Sequence, residues 1–137
     1  MSTMIRKVIT TVNSAKPVGP YNHAVVVDRM VYVSGCIGMN KDTMKLVEGG
    51  IAEQLTQALK NLKAILQASG SDVDQVVKTT LFFKDLEDFP VVNDIYQSVF
   101  KHDFPARSSV QVARLPADAL IEVECIAITG DVKTCSA

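Results

Sequence analysis

The chain has 137 residues, 47% hydrophobic and 21% charged, which is enough to bury a core without disulfide or metal staples and unlike a disordered chain. Its net charge of -1 leaves no global field to recruit nucleic acid or an anionic membrane. Apolar runs are short and broken by charge, so no bilayer span is expected, and no signal-peptide hydrophobic region stands near the start. One domain covering residues 1–137 is expected. The segment before Asp28 carries Arg6, Lys7 and Lys16 and no acid, a faint transit-peptide pattern over strand-like residues. The expected location is the cytoplasm, with the mitochondrion as the second option. Cys36, Cys125 and Cys135 make no close pair, and His23 and His102 lie far apart, so isolated reduced thiols are expected, with no metal site and no cofactor.

Met4 to Thr11 mixes β-branched and apolar residues and reads as a first strand. Ala15 to Pro20 is a Pro/Gly loop that delivers Tyr21. His23 to Val27 and Met30 to Ser34 are β-rich runs joined through Asp28-Arg29, a hairpin pattern. Ser34-Gly35 then reads as a strand-end turn that offers a hydroxyl and a backbone N–H, and the segment to Gly50 is looser.

Ile51 to Ala68 is the clearest helix, because Ile51, Leu55, Leu59, Leu62, Ile65 and Leu66 recur at steps of three and four. Gly70 just beyond it suits a left-handed cap. Val73 to Lys84 reads as a largely buried strand. Phe89, Val92, Ile95, Tyr96, Val99 and Phe100 mark a second helix, with Asp88 as N-cap and Pro90 tolerable in its first turn. Arg107 to Arg114 and Ala119 to Thr129 are the last strands, joined at residues 115–118. The order βββ-α-β-α-ββ predicts an α+β fold, one mixed sheet with both helices on one face. The other face then needs a cover, for which a second copy of the chain is economical.

Strand alternation puts Ile121, Val123 and Cys125 on one face of the last strand and Glu122 and Glu124 on the other, beside Ile126 and Ile128. Arg107, Ser109 and Gln111 share a face of the strand before it. If these two strands form a hairpin turning near Ala117, Arg107 lies roughly 16 Å from Glu122, too far for one small ligand. The pair would meet more naturally across a subunit boundary, although a plain solvated face remains open for the two glutamates.

GPY at 19–21, YVSGCIGM at 32–39, VVKTTLFFKDLEDF at 76–89, VNDIY at 92–96 and PARSSVQVARLP with IEVE between 105 and 124 resemble the reactive intermediate deaminase (Rid) family, in its RidA branch. The resemblance covers nearly the whole chain in order. It implies a chorismate-mutase-like homotrimer with three pockets in the clefts between subunits. It further implies hydrolytic deamination of short-lived enamine and imine acids, 2-aminoacrylate with its tautomer 2-iminopropanoate and 2-iminobutanoate, to 2-oxo acids and ammonia. By position, Arg107 matches the family's carboxylate-binding arginine and Glu122 the glutamate that places water. Tyr21, Ser34, Gly35 and Asn93 match pocket-lining positions. Cys36 replaces a frequent glutamine, and Ser109, also a pocket position, replaces a frequent cysteine.

The residue types suit that chemistry. A guanidinium offers a planar two-pronged clamp for a carboxylate, where a lysine offers a point charge. A carboxylate within hydrogen-bond reach can hold a water and manage its proton. Two rival readings are a ribonuclease or translation inhibitor, the family's older labels, and a non-catalytic ligand-binding or chaperone-like trimer. The balanced charge and the absence of tryptophan argue against stable nucleic-acid binding.

Overall fold

A computed structural model describes all residues, 1–137. Six strands, β1 (Arg6–Ile9), β2 (Ala24–Val27), β3 (Met30–Cys36), β4 (Val76–Phe83), β5 (Ala106–Gln111) and β6 (Ile121–Ile128), form one sheet in the order β1-β2-β3-β6-β4-β5. Two helices, α1 (Ile51–Ala68) and α2 (Phe89–Val99), complete the α+β arrangement expected from the sequence. No helix is long and apolar enough to cross a membrane.

The β2–β3 hairpin turns at Asp28-Arg29, with Val27 opposite Met30 and Asp28 in the left-handed region at φ 55°. Helix α1 buries Leu55, Leu59, Leu62, Ile65 and Leu66 against Val31, Val33, Ile121, Val123 and Ala127 of the sheet. It ends in the expected glycine cap. Gly70 sits at φ 81°, its N–H donates to Gln67 O, and the Ser71 N–H reaches back to Leu66 O at 2.9 Å. Asp88 holds the N-cap position of α2 but makes no capping hydrogen bond; Asp85 Oδ1 instead accepts from the Glu87 N–H in the short 3-10 turn before it. Tyr96 of α2 reaches Thr79 of β4, and its Phe89 stacks near Phe83, so both helices lie on the same sheet face.

Two expectations are corrected. Ser34 and Gly35 do not form a turn beyond a strand; they lie inside β3, at an irregularity where its pairing with β6 skips from Val33–Cys125 to Cys36–Val123. Nor do β5 and β6 form a hairpin. Strand β6 inserts between β3 and β4, antiparallel to both, while β5 pairs in parallel with β4 at the sheet edge. The reason is burial. Strand β6 carries Ile121, Val123, Cys125 and Ala127 fully inward and Ile126 and Ile128 outward, so it suits a central position. Strand β5, ARSSVQ, is polar and tolerates an edge. Helix α2 supplies the crossover that parallel β4–β5 pairing requires.

The sheet's second face has no helix over it. It presents Tyr32, Phe82, Ile126 and Ile128 together with Lys78, Thr80, Glu122 and Glu124. On the covered side, Leu62 is fully buried in the centre of the core. Leu62→Ala should therefore lower unfolding free energy by about 2–5 kcal/mol. Urea unfolding at fixed protein concentration measures it, and a loss well under that range would show that the core closes over the missing methyls.

Candidate functional site

Arg107 leaves β5 on the helix-covered face and lies along α2. Its Nε donates to Ser109 Oγ at 2.9 Å and its Nη2 to Asn93 Oδ1 at 2.7 Å. The guanidinium carbon stands 5.1 Å from the centroid of the Phe89 ring and 4.7 Å from that of Tyr96. The three ion pairs of the chain are Lys41–Asp42, His102–Asp103 and Arg114–Asp118, all at the surface, so Arg107 has no carboxylate partner. Partial burial pulls its pKa down and the nearby Tyr96 phenol pulls it back up, in that order of weight. The guanidinium stays charged, and of its five N–H groups two meet acceptors within the chain. It faces a hollow of about 360 Å³ bordered by Asn93, Tyr96, Gln97, Phe104 and Pro105.

Glu122 leaves β6 on the open face, half-buried, with no cation near it. Burial raises its carboxyl pKa, and the charge of Glu124 two residues along the same face adds to the rise. Gly35 makes room for it: a methyl group there would come within 2.6 Å of the Glu122 carboxyl carbon. Tyr21, Ser34, Gly35 and Glu122 share a cavity of about 80 Å³ with His23 and Cys36. Ser34 Oγ donates to Asn22 O at 2.7 Å, so it faces the cavity as an acceptor and not as a free donor. The Tyr21 hydroxyl accepts from the Val18 N–H at 3.3 Å, which folds the loop onto the ring.

The seven sequence-predicted residues thus fall into two groups. Arg107, Asn93 and Ser109 come together at the β5 edge; Tyr21, Ser34, Gly35 and Glu122 come together beside β3. Arg107 lies level with Cys125 through Thr79, and Glu122 is three residues further along, two strands over. That spacing separates the two backbones by about 14 Å, and the two side chains point to opposite faces. One chain does not bring them together. The largest groove, about 540 Å³ between α1 and α2, holds none of the seven. No group of three or more His, Cys, Asp or Glu side chains is gathered as a metal ligand set.

The departures at positions 36 and 109 have different consequences. Ser109 is a working contact of the guanidinium, whereas Cys36 is a buried thiol whose pKa is raised by burial and by neighbouring Cys125. Burial, then Glu124, likewise pushes the Cys125 thiol up to about 12. Neither thiol is poised as a nucleophile. Sequence reasoning missed three residues. Phe89 and Tyr96 read only as core stripe; the signal lay in Phe89, Asn93 and Tyr96 at i, i+4 and i+7, which puts the rings on the same helix face as the asparagine. His23 read as an unpaired histidine, but its buried ring ties down the loop before Tyr21. Nδ1 accepts from the Thr11 N–H at 3.1 Å, and Nε2 donates to Ala15 O at 2.8 Å.

A small α+β unit with one mixed sheet and two helices is also the architecture of a known protein class. The sequence profile described as endoribonuclease L-PSP matches residues 11–129. The chain belongs to this family, the one that contains the Rid deaminases it resembles in sequence. It is 63% identical to the RutC family protein UK114 of Drosophila melanogaster, over 98% of this chain and 97% of that one. It is 50% identical, over 99% of each chain, to the human protein named 2-iminobutanoate/2-iminopropanoate deaminase. Among solved structures, E. coli TdcF with bound serine superposes with a TM-score of 0.86 at 37% identity, over 90% of this chain and 99% of that one.

The histidine tie is open to direct measurement. His23→Ala should raise hydrogen exchange at the Thr11 amide roughly tenfold, the factor that one lost hydrogen bond of about 1.4 kcal/mol gives. Unchanged exchange would mean that the loop is held without the ring.

Proposed function

We propose that this protein is a hydrolytic deaminase of reactive enamine and imine acids, 2-aminoacrylate with 2-iminopropanoate and 2-iminobutanoate, and that it works as a homotrimer with three intersubunit sites. The observation that carries the reading is a partly buried guanidinium, oriented by Asn93 and Ser109, with no carboxylate of its own. A planar carboxylate is the ligand that such a fork fits. Serine, named in the TdcF structure, carries an α-carboxylate of the kind these imine acids carry. The names of the mammalian relatives supply the reaction class.

The same geometry supports assembly. Arg107 and Glu122 on opposite faces of one sheet can serve one small substrate only if the open face of one protomer docks near the β5 edge of another. A closed ring of three, as in chorismate-mutase-like trimers, makes three such clefts. It also covers Tyr32, Phe82, Ile126 and Ile128.

In that cleft Arg107 clamps the carboxylate. Tyr21, Ser34 and Gly35 wall the side that holds Glu122. Glu122 accepts a proton from water as its oxygen attacks the imine carbon, giving a tetrahedral carbinolamine. With the imine nitrogen protonated on entry, Glu122 returns its proton to that nitrogen, and the C–N bond breaks as the hydroxyl oxygen closes the carbonyl and gives its own proton to Glu122, releasing ammonia and leaving the 2-oxo acid. The raised pKa of Glu122 moves it toward the range where it can both take and return that proton.

Arg107→Lys should be nearly as damaging as Arg107→Ala, because loss of the charge-assisted two-pronged bond is worth about 1.5–3 kcal/mol, or on the order of ten- to a hundredfold in kcat/KM. The assay is release of pyruvate and ammonia from enzymatically generated 2-aminoacrylate against a no-protein control. Wild-type activity in an assembled Arg107→Lys trimer would remove the clamp assignment. Mixing unfolded Arg107→Ala and Glu122→Gln subunits in equal amounts and refolding them should restore roughly a quarter of wild-type activity. Random assortment puts an intact Arg107 and an intact Glu122 in that share of intersubunit clefts. No recovery in refolded mixed trimers would place the site within one chain.

Gly35 and Glu122 generate a second pair of outcomes. Gly35→Ala meets the end of a flexible side chain and not backbone, so the protein should fold while the Glu122 carboxyl is pushed aside. Turnover should fall about as far as in Glu122→Gln, with the melting temperature little changed; full activity would show that Glu122 is not held where the chemistry occurs. Because burial raises the Glu122 pKa, the carboxylate takes its proton at higher pH than an ordinary glutamate. Activity that needs its ionised form is complete above that pKa and falls as pH drops through it. A kcat/KM profile corrected for the uncatalysed rate should show this acid limb, and Glu122→Gln should lack it.

A further inference from the structure

The clamp is itself held by a layer of residues that neither the family resemblance nor the relatives' names assign. Thr79 is fully buried on β4, and its Oγ1 lies 2.8 Å from the Tyr96 hydroxyl. Tyr96 is buried too, and its ring packs on Phe100 with centroids 4.4 Å apart. The ring cannot swing without breaking the buried hydroxyl tie or that stack. Its face lies against the Arg107 guanidinium, and Phe89, seven residues earlier on the same helix, faces the guanidinium as well. Two turns of helix span about 10.5 Å. The two rings therefore bracket the guanidinium, with Asn93 between them accepting from Nη2.

We propose that Thr79 and Tyr96, with Phe89, form the positioning frame of the carboxylate clamp: the buried hydroxyl tie fixes the Tyr96 ring, and the two ring faces fix the plane of the Arg107 guanidinium. The inference rests on the deaminase reading of the same cleft. Its chemical logic is specific. A two-pronged hydrogen bond needs guanidinium and carboxylate coplanar, and a cation without a counter-charge has no ion pair to hold its plane. Aromatic faces can do so without neutralising it, which leaves the charge available to the substrate. Because the clamp grips the carboxylate in ground state and transition state alike, loss of the frame should appear in KM and in product affinity and leave kcat nearly unchanged.

The test compares Tyr96→Leu, Tyr96→Phe, Thr79→Val and the Thr79→Val/Tyr96→Phe double variant, each checked for assembly and melting temperature. Pyruvate binding by calorimetry and steady-state turnover of 2-aminoacrylate are the readouts. Tyr96→Leu should raise the pyruvate Kd and the KM roughly three- to tenfold, with kcat within about twofold. Tyr96→Phe and Thr79→Val, which cut the same tie and keep the volume, should each give a smaller rise of about two- to threefold, and the double variant should be no worse than either. Variants that melt earlier but bind pyruvate and turn over as wild type would overturn the positioning role and leave the deaminase reading standing. Additive effects in the double variant would overturn the tie as the link. Wild-type protein that neither binds pyruvate nor exceeds the no-protein control would overturn the deaminase reading and this inference with it.

Discussion

Successive side chains of a β-strand point to opposite faces, and the rest of this molecule depends on how that alternation treats two residues. Arg107 pairs through Thr79 with the level of Cys125, an inward position, so it turns toward the helices. Glu122 is an odd number of residues from Cys125 and turns away from them. No rotamer change brings the pair onto one face, because a backbone slip of one residue would also expel Ile121, Val123 and Ala127 from the core. The fold therefore divides its two chemically distinctive charges between two surfaces, and one chain offers no site that uses both.

The energetics point the same way. An isolated chain carries a partly desolvated guanidinium with no anion and a partly desolvated carboxylate with no cation. Both are destabilising on their own, since burial disfavours the charged form. Proteins keep such groups where a ligand or a partner completes them, and strained electrostatics of this kind mark functional sites more often than structural ones. The open sheet face, with Tyr32, Phe82, Ile126 and Ile128 among polar groups, is the apolar area that association would bury.

The local frame around each charge is rigid for reasons that differ. At Arg107 it is a helix face and an edge strand: Phe89, Asn93 and Tyr96 come from two turns of α2, and Ser109 from the next inward position of β5. At Glu122 it is close approach, since only a residue without a Cβ at position 35 leaves space for the carboxyl group. The loop carrying Tyr21 has neither kind of support and depends on the buried His23 ring bridging Thr11 and Ala15.

Much of this was determined by the sequence alone. The 3.6-residue period of Ile51 to Ala68 placed α1 and its buried stripe, the period of two in IEVECIAI placed Glu122 and Glu124 opposite the core, and the quoted motifs indicated the family. Those are properties of neighbours along the chain. The tertiary structure decided what depends on partners far apart in sequence. Strand β6 chose β3 and β4, leaving β5 at the edge, because an apolar strand gains most from burial on both sides and a polar one loses least outside. Asp28-Arg29 is a local turn and was legible; the β4–β5 pairing is set by a crossover through α2 and was not. The same holds for the site. Arginine, asparagine and glutamate could be named from motifs, but the Phe89–Tyr96 bracket, the Thr79 tie and the opposition of Arg107 to Glu122 exist only once the strands have been ordered. Hydrogen-bond partners and packing surfaces are chosen by the whole sheet, and no stretch of sequence carries that choice by itself.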